Sequence, residues 1–230
     1  MPSIDRVSHP STIAIVAAAV TLTLSLGRAG PAVGTVQGVV GVEKDGSAKS
    51  DRSHVVIYLE GVPGPSPDLE KLRRAIRQRD QTFLPELTVL VKGATIDFPN
   101  EDRVFHNVFS LSEAAKFDLG LYKQGESKSI TFRRTGVVDL YCNIHPEMVA
   151  KILVVDTPFF AITGADGRFR LDGVPAGVYP VVAWQAHGPP FRGEVTVTAG
   201  ANAALDIKLV EGPTLKTHLR KDGTPYGRYK

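Results

Sequence analysis

The chain has 230 residues, 43% of them hydrophobic and 22% charged, with a net charge of +3. That is the make-up of a folded protein with one full core or two modest ones, and it excludes wholesale disorder. The charge is too small, and the lysines and arginines too scattered, to track a nucleic-acid backbone, so no nucleic-acid partner is expected.

The N-terminus comes first. Arg6 precedes a 15-residue stretch without charge, "TIAIVAAAVTLTLSL" (Thr12 to Leu26), which is followed by "GRAG". A basic start, a short apolar middle and small residues near Gly27-Arg28-Ala29 form the layout of a secretory signal. The alternative is an uncleaved anchor, but a membrane span needs roughly 20 apolar residues. Residues 1–29 are therefore expected to be a signal peptide, and the mature protein periplasmic, with no stable membrane insertion. Export makes Cys142 conspicuous, because it is the single cysteine of the chain. In an oxidising compartment thiols are normally paired, and this one has no intrachain partner. It is open to four roles: buried hydrophobe, half of an intermolecular disulfide, nucleophile or metal ligand.

Nearly all of the remaining sequence reads as short strands separated by turns. "GTVQGVVGVE" and "HVVIYLEG" are β-rich runs around the polar segment "KDGSAKSDRS". "SPDLEKLRRAIRQRD" is a helix candidate: Ser66-Pro67-Asp68 is a start signature, and Leu69, Leu72 and Ile76 share one helical face. It is expected as a connecting helix or linker over residues 63–81. From Thr82 to Asp156 strands follow quickly: "LTVLVK", "TIDF", "VFHNVFS", "KSITF", "VVDLYC" and "VAKILVVD", with Gly93, Gly120, Gly125 and Gly136 at turns. This is the spacing of a β-sandwich or barrel. A second β module follows in "FFAITGADGRFRLDGVPAGVYPVVAW", "GEVTVTAG" and "ALDIKL", where Asp166-Gly167 signals a hairpin. The basic, Gly- and Pro-punctuated residues 212–230 read as a flexible tail.

The chemistry concentrates in "GVVDLYCNIHPEM", Gly136 to Met148. Strand alternation places Val138, Leu140 and Cys142 on one face and Asp139 and Tyr141 on the other. The apolar face must turn to the core, so Cys142 arrives at the strand end pointing inward. Alone, such a thiol reads as a small inert hydrophobe. It is accompanied by His145 at +3 and Met148 at +6, across a loop broken by Pro146. Thiolate, imidazole and thioether are the soft and borderline donors that favour copper, and a blue-copper centre adds a second histidine. Of the six histidines, His9 belongs to the signal and His218 to the tail. His54 and His187 sit in polar loops. His106, in "DFPNEDRVFHNVFS", lies within the inferred sandwich, and alternation puts it on the face of Val104 and Val108.

"FPNEDRVFHN" followed by "YCNIHPEM" resembles the copper-binding signature of the cupredoxins, with the plastocyanin- and amicyanin-type spacing Cys-x2-His-x2-Met. The resemblance covers roughly residues 80 to 156. It implies one type 1 copper per chain, bound by His106, Cys142, His145 and Met148. It also implies that Asn107 hydrogen-bonds near the cysteine loop, an outer contact that fixes ligand geometry. The flanks are similar to a carboxypeptidase regulatory-like, prealbumin-type β domain, split into residues 33–62 and 157–211 around a cupredoxin domain at 82–156. Exported bacterial proteins with this mixed layout are sometimes labelled methylamine-utilisation proteins. The fold implied is all-β, with two sandwiches and one short helix.

The function implied is that of an exported one-electron carrier, not an enzyme, working with a redox partner such as a c-type cytochrome or dehydrogenase. Copper storage, delivery or sensing through the same ligands is the alternative. A copper enzyme would add further histidine clusters, and the other histidines here are scattered. A Cys/His hydrolase would need a third orienting group beside Cys142 and His145. Zinc accepts cysteine and histidine, but methionine at +6 points to copper.

Overall fold

The computed structural model describes residues 32–64, 67–213 and 218–225. The signal-like segment 1–29 lies outside the described residues. Among those described, every regular element is a strand, so the fold is all-β. The chain opens with β1 (Val33–Lys44), β2 (Ser47–Ala48) and β3 (Val56–Leu59). It continues through β4 (Arg74–Ala75), β5 (Arg77–Arg79), β6 (Thr82–Leu84), β7 (Leu87–Val91) and β8 (Thr95–Pro99). Next come β9 (His106–Ser112), β10 (Ala115–Tyr122), β11 (Ser127–Thr131), β12 (Gly136–Tyr141) and β13 (Val149–Val155). It closes with β14 (Phe160–Ile162), β15 (Arg168–Pro175), β16 (Gly177–Trp184), β17 (Phe191–Val197) and β18 (Asn202–Glu211).

These strands build two cores. In the first, the sheet β15-β1-β18, with β2 on β1, packs against β14-β3-β16-β17. Val36, Val40, Ile57, Leu59, Val181 and Ile207 fill the space between them. In the second, the sheet β10-β9-β12-β13-β7 and the sheet β11-β8-β4 enclose Ile96, Phe98, Phe132, Leu140 and Ile152. The chain therefore starts in one sandwich, builds the other, and returns to complete the first.

The two cores meet across β7 and β13. Ala150, Ile152 and Val154 of β13 face the second core. Leu153 and Val155 instead pack with Val89 against Val56, Tyr58, Phe160 and Trp184 of the first sandwich. That is why "KILVVD" loses the alternation seen in "VVDLYC": a strand covered on both faces reads as a continuous apolar run.

Three expectations are corrected. The helix expected within residues 63–81 does not form. Residues 69–72 make one turn, with the Leu72 and Arg73 amides donating to the Leu69 and Glu70 carbonyls. The chain then runs extended as β4 beside β8. Arg73 grips the Asp97 carboxylate with two nitrogens at 2.6 and 2.7 Å, and the Ile76 amide donates to the Asp97 carbonyl. A fully buried Ile76 and the sheet edge thus override a helical period carried by three residues. Asp166-Gly167 does not join a paired hairpin either, because β14 pairs with β3 and β15 with β1. The turn carries the chain between the two sheets of a sandwich, with Gly167 at φ 71° and its carbonyl accepting from the Val40 amide. The strand β10, with Gly120 inside it, was not expected at all. A register shift between Asp118 and Leu121 breaks its pattern.

The parallel pairing of β1 with β18 runs from Thr35↔Asn202 to Lys44↔Glu211. It depends on close approach at Gly38, where a Cβ would lie 1.8 Å from the Leu205 carbonyl oxygen. Gly38→Ala should lower stability by about 1–3 kcal/mol, as overpacking does. Urea denaturation checks this, and an unchanged midpoint would contradict the packing account.

Candidate metal centre

The four sequence-derived candidates come from the two ends of neighbouring strands. His106 opens β9, and Cys142 follows the last residue of β12, its neighbour in the sheet. Val138, Leu140 and Cys142 have no exposed surface, so the alternation that turned the thiol inward holds. Val104, by contrast, is exposed, and the regular strand starts only at His106. Beyond Cys142 the chain leaves the sheet and returns at Met148. The Cys142 amide donates to the Met148 carbonyl at 3.3 Å, and the Met148 amide to the His145 carbonyl at 3.2 Å. These bonds pinch the loop shut, so ligand-type side chains three and six residues on return to the neighbourhood of the thiol. Met148 is fully buried in the same apolar cluster as Cys142.

The donor atoms converge. His106 Nδ1 lies 3.1 Å from His145 Nδ1, and the Cys142 sulfur lies 4.0 Å and 3.6 Å from those two nitrogens. Among the described residues this is the group of three such donors with metal-binding geometry, all within 4.8 Å of one another. An ion with metal–nitrogen and metal–sulfur bonds of about 2.0–2.3 Å holds its donors roughly 3–4 Å apart, so the three fit around one centre.

The local electrostatics of Cys142 and His145 suit that role, and His106 is shifted the other way by its anionic neighbours. Burial pushes the Cys142 thiol up, but the His106 imidazole and the N–H groups of Asn107, Ile144 and His145 outweigh it and hold the thiol below its ordinary value. For His106, burial works downward, but the Cys142 sulfur and the Asp102 carboxylate prevail and raise it. His145 is lowered, first by burial and then by His106, which favours the neutral imidazole that a metal needs.

Asn107 makes contacts with both its side chain and its backbone. Its side-chain amide donates to Asp118 Oδ1 at 2.7 Å on β10, and its contact with the Cys142 sulfur runs through its backbone N–H. Sequence reasoning missed Asp102. His106 Nε2 lies 2.6 Å from Asp102 Oδ2, on the side of the ring away from the other donors. The carboxylate is itself held by the amides of Asp80 and Gln81 at 2.7 and 2.8 Å, and its own amide donates to Asn100 Oδ1. Asp80 and Gln81 are the two turn residues of the β5–β6 hairpin, and both adopt the left-handed backbone (φ 52° and 54°) that such a turn requires. Non-glycine residues there cost free energy, which the fold spends aiming two N–H groups at one carboxylate. The available signal was an acidic residue four positions before the histidine inside "NEDRVFH".

Residues 214–217 and 226–230 lie outside the described residues, but His218 to Pro225 are placed, and His218 stacks on Tyr141 with ring centres 4.3 Å apart.

No family model matches the chain, and no curated protein matches it. Over part of its length it is similar to cupredoxins. A purple cupredoxin from Nitrosopumilus maritimus is 23% identical, covering 36% of this chain and 99% of that one, with a TM-score of 0.33. A Cu(I) structure of an amicyanin mutant is 18% identical over 43% of this chain and 98% of its own, with a TM-score of 0.35. A second, reduced amicyanin mutant gives 19% identity, the same coverage and a TM-score of 0.35. At these scores the donor set, and not the likeness, has to carry a functional reading.

Asp102→Ala should release the His106 ring and weaken Cu(I) and Zn(II) binding by about 10–100-fold, as loss of such outer partners does. Competition titration measures it, and wild-type affinity in the variant would contradict the role given to Asp102.

Proposed function

We propose that this chain is an exported, non-enzymatic one-electron carrier that holds one copper ion of the blue type at His106, Cys142, His145 and Met148. The observation that carries the reading is the convergence of two imidazole nitrogens and one sulfur within 4.8 Å at the end of a buried strand. Two histidines and a thiolate form a soft and borderline donor set that excludes magnesium, and the buried methionine in the same cluster favours copper. Copper, when bound, supplies a Cu(II)/Cu(I) couple.

The residues supply the rest. Cys142 is presented as an anion-favouring sulfur by three backbone N–H groups. His106 is fixed in orientation by Asp102. His106, Cys142 and Met148 are fully buried and exclude water, while His145 retains partial exposure and is the ligand a redox partner can approach. His106 and Cys142, anchored at the ends of two neighbouring sheet strands, limit rearrangement between charge states, which favours electron exchange over slow storage. The partner proposed is an exported redox protein such as a c-type cytochrome or dehydrogenase, in the periplasm. The flanking sandwich, residues 33–62 with 157–211, is proposed to be a carboxypeptidase regulatory-like scaffold that covers the outer faces of β7 and β13.

The optical and EPR spectra of the purified protein with added Cu(II) test this. Wild type should show intense visible absorption from the copper–thiolate pair. Cys142→Ser should lose it, and Met148→Leu should keep the copper with a shifted potential. A coloured Cys142→Ser protein, or a colourless wild type with copper bound, would contradict the proposal.

A further inference from the structure

The ligand loop is gripped from outside by the C-terminal segment, at both ends of the donor set. The His218 ring lies nearly parallel to Tyr141, the residue before Cys142, at an angle of 25°, and edge-on to Phe109. Its Nδ1 lies 2.8 Å from the Leu219 carbonyl oxygen, a contact within the segment itself. The Lys221 amide donates to Asn143 Oδ1 at 3.1 Å, inside the loop. Lys221 Nζ lies 2.7 Å from Asp118 Oδ2, and Asp118 Oδ1 accepts from Asn107, the residue after ligand His106. The segment holds its own shape: the Gly223 amide donates to the Arg220 carbonyl, the Arg220 amide to the Thr224 carbonyl, and Thr224 bonds Asp222.

We propose that residues 218–224 are a strap whose His218 and Lys221 position the Asn143–Glu147 loop and set the rate at which metal enters and leaves. The loop lies outside the sheet ladder, so its order depends on partners beyond its own backbone. The strap supplies them from both directions, tying the cysteine loop to the β9–β10 side that carries His106. It does so without filling a core. A cavity of about 970 Å³ lies beside it, lined by Phe109, Leu111, Tyr141, Val149, His187 and His218. Among the described residues, the contacts that join the strap to the site include one stacked ring and polar bonds, two of them on the single residue Lys221. Contacts of this kind are strong enough to order a loop and weak enough to release it. The control of metal exchange rests on the copper reading; the ordering of the loop does not.

Hydrogen exchange of the full-length protein, metal-free and copper-loaded, tests the strap together with copper release to a chelator. A His218→Ala/Lys221→Ala variant keeps the backbone amide bond to Asn143 but loses the stacked ring and the Asp118 ion pair that hold the segment in place, so the Asn143–Glu147 amides should exchange about tenfold faster or more. Copper should leave faster by a similar factor, while β1 and β18 amides stay at wild-type rates. Lys221→Arg with His218 intact should restore wild-type behaviour. Unchanged loop exchange in the double variant would overturn the strap. Faster loop exchange with unchanged copper release would overturn its control of the metal. A protein that takes up no copper at all would count against the electron-carrier reading, and exchange in the metal-free protein would still decide whether the strap orders the loop.

Discussion

The register of β12 in its sheet is the constraint on which the site depends. Gly136↔Val154 through Tyr141↔Val149 pair β12 with β13, and Tyr141↔Phe109 pairs it with β9. Because side chains alternate, a slip of one residue would turn Cys142 outward and bury Asp139 and Tyr141. The core pins the register through Val138 and Leu140, both without exposed surface. The same register sets Cys142 beside the start of β9. There a buried imidazole and a buried thiol meet, two polar groups that would each be costly without a partner.

The support is built in layers outward from that pair. Asp102 takes the remaining nitrogen of His106, a charge-assisted bond that is stronger than a neutral one. The carboxylate is pinned by a strained two-residue turn, and Asn100 ties the same loop to Tyr122 at the end of β10. On the other side the first sandwich covers β7 and β13, so the strand that follows Met148 is clamped on both faces. A metal changing charge in such a frame finds donors that have little freedom to follow it. This is the physical link between an all-β scaffold with doubly covered strands and the proposed role in electron exchange.

Much of this was legible in the sequence because it rests on period-two alternation and on rare side chains. The inward turn of Cys142 follows from "VVDLYC", and the clustering of a cysteine, a histidine and a methionine within seven positions needs no tertiary information. The choice of His106 over His54 and His187 followed from its place inside the sandwich. Other features were hidden because they are contacts between distant segments. Asp102 reads as an ordinary loop acid until the β5–β6 turn is seen to hold it. The strap was concealed because a basic, Gly- and Pro-rich terminus looks the same whether solvated or docked. The expected helix failed where three apolar positions at helical spacing met a sheet edge that offered Asp97 to Arg73 and a buried site to Ile76. Local propensity is a weak prior there, and tertiary partners decided.

X-ray absorption at the copper edge, on the loaded protein in both charge states, tests the central claim most directly. The account predicts a first shell of two nitrogen scatterers and one short sulfur that keeps its composition and changes little in distance on reduction. A shell of oxygen and nitrogen without the sulfur, or one that gains or loses a ligand between the two states, would contradict it.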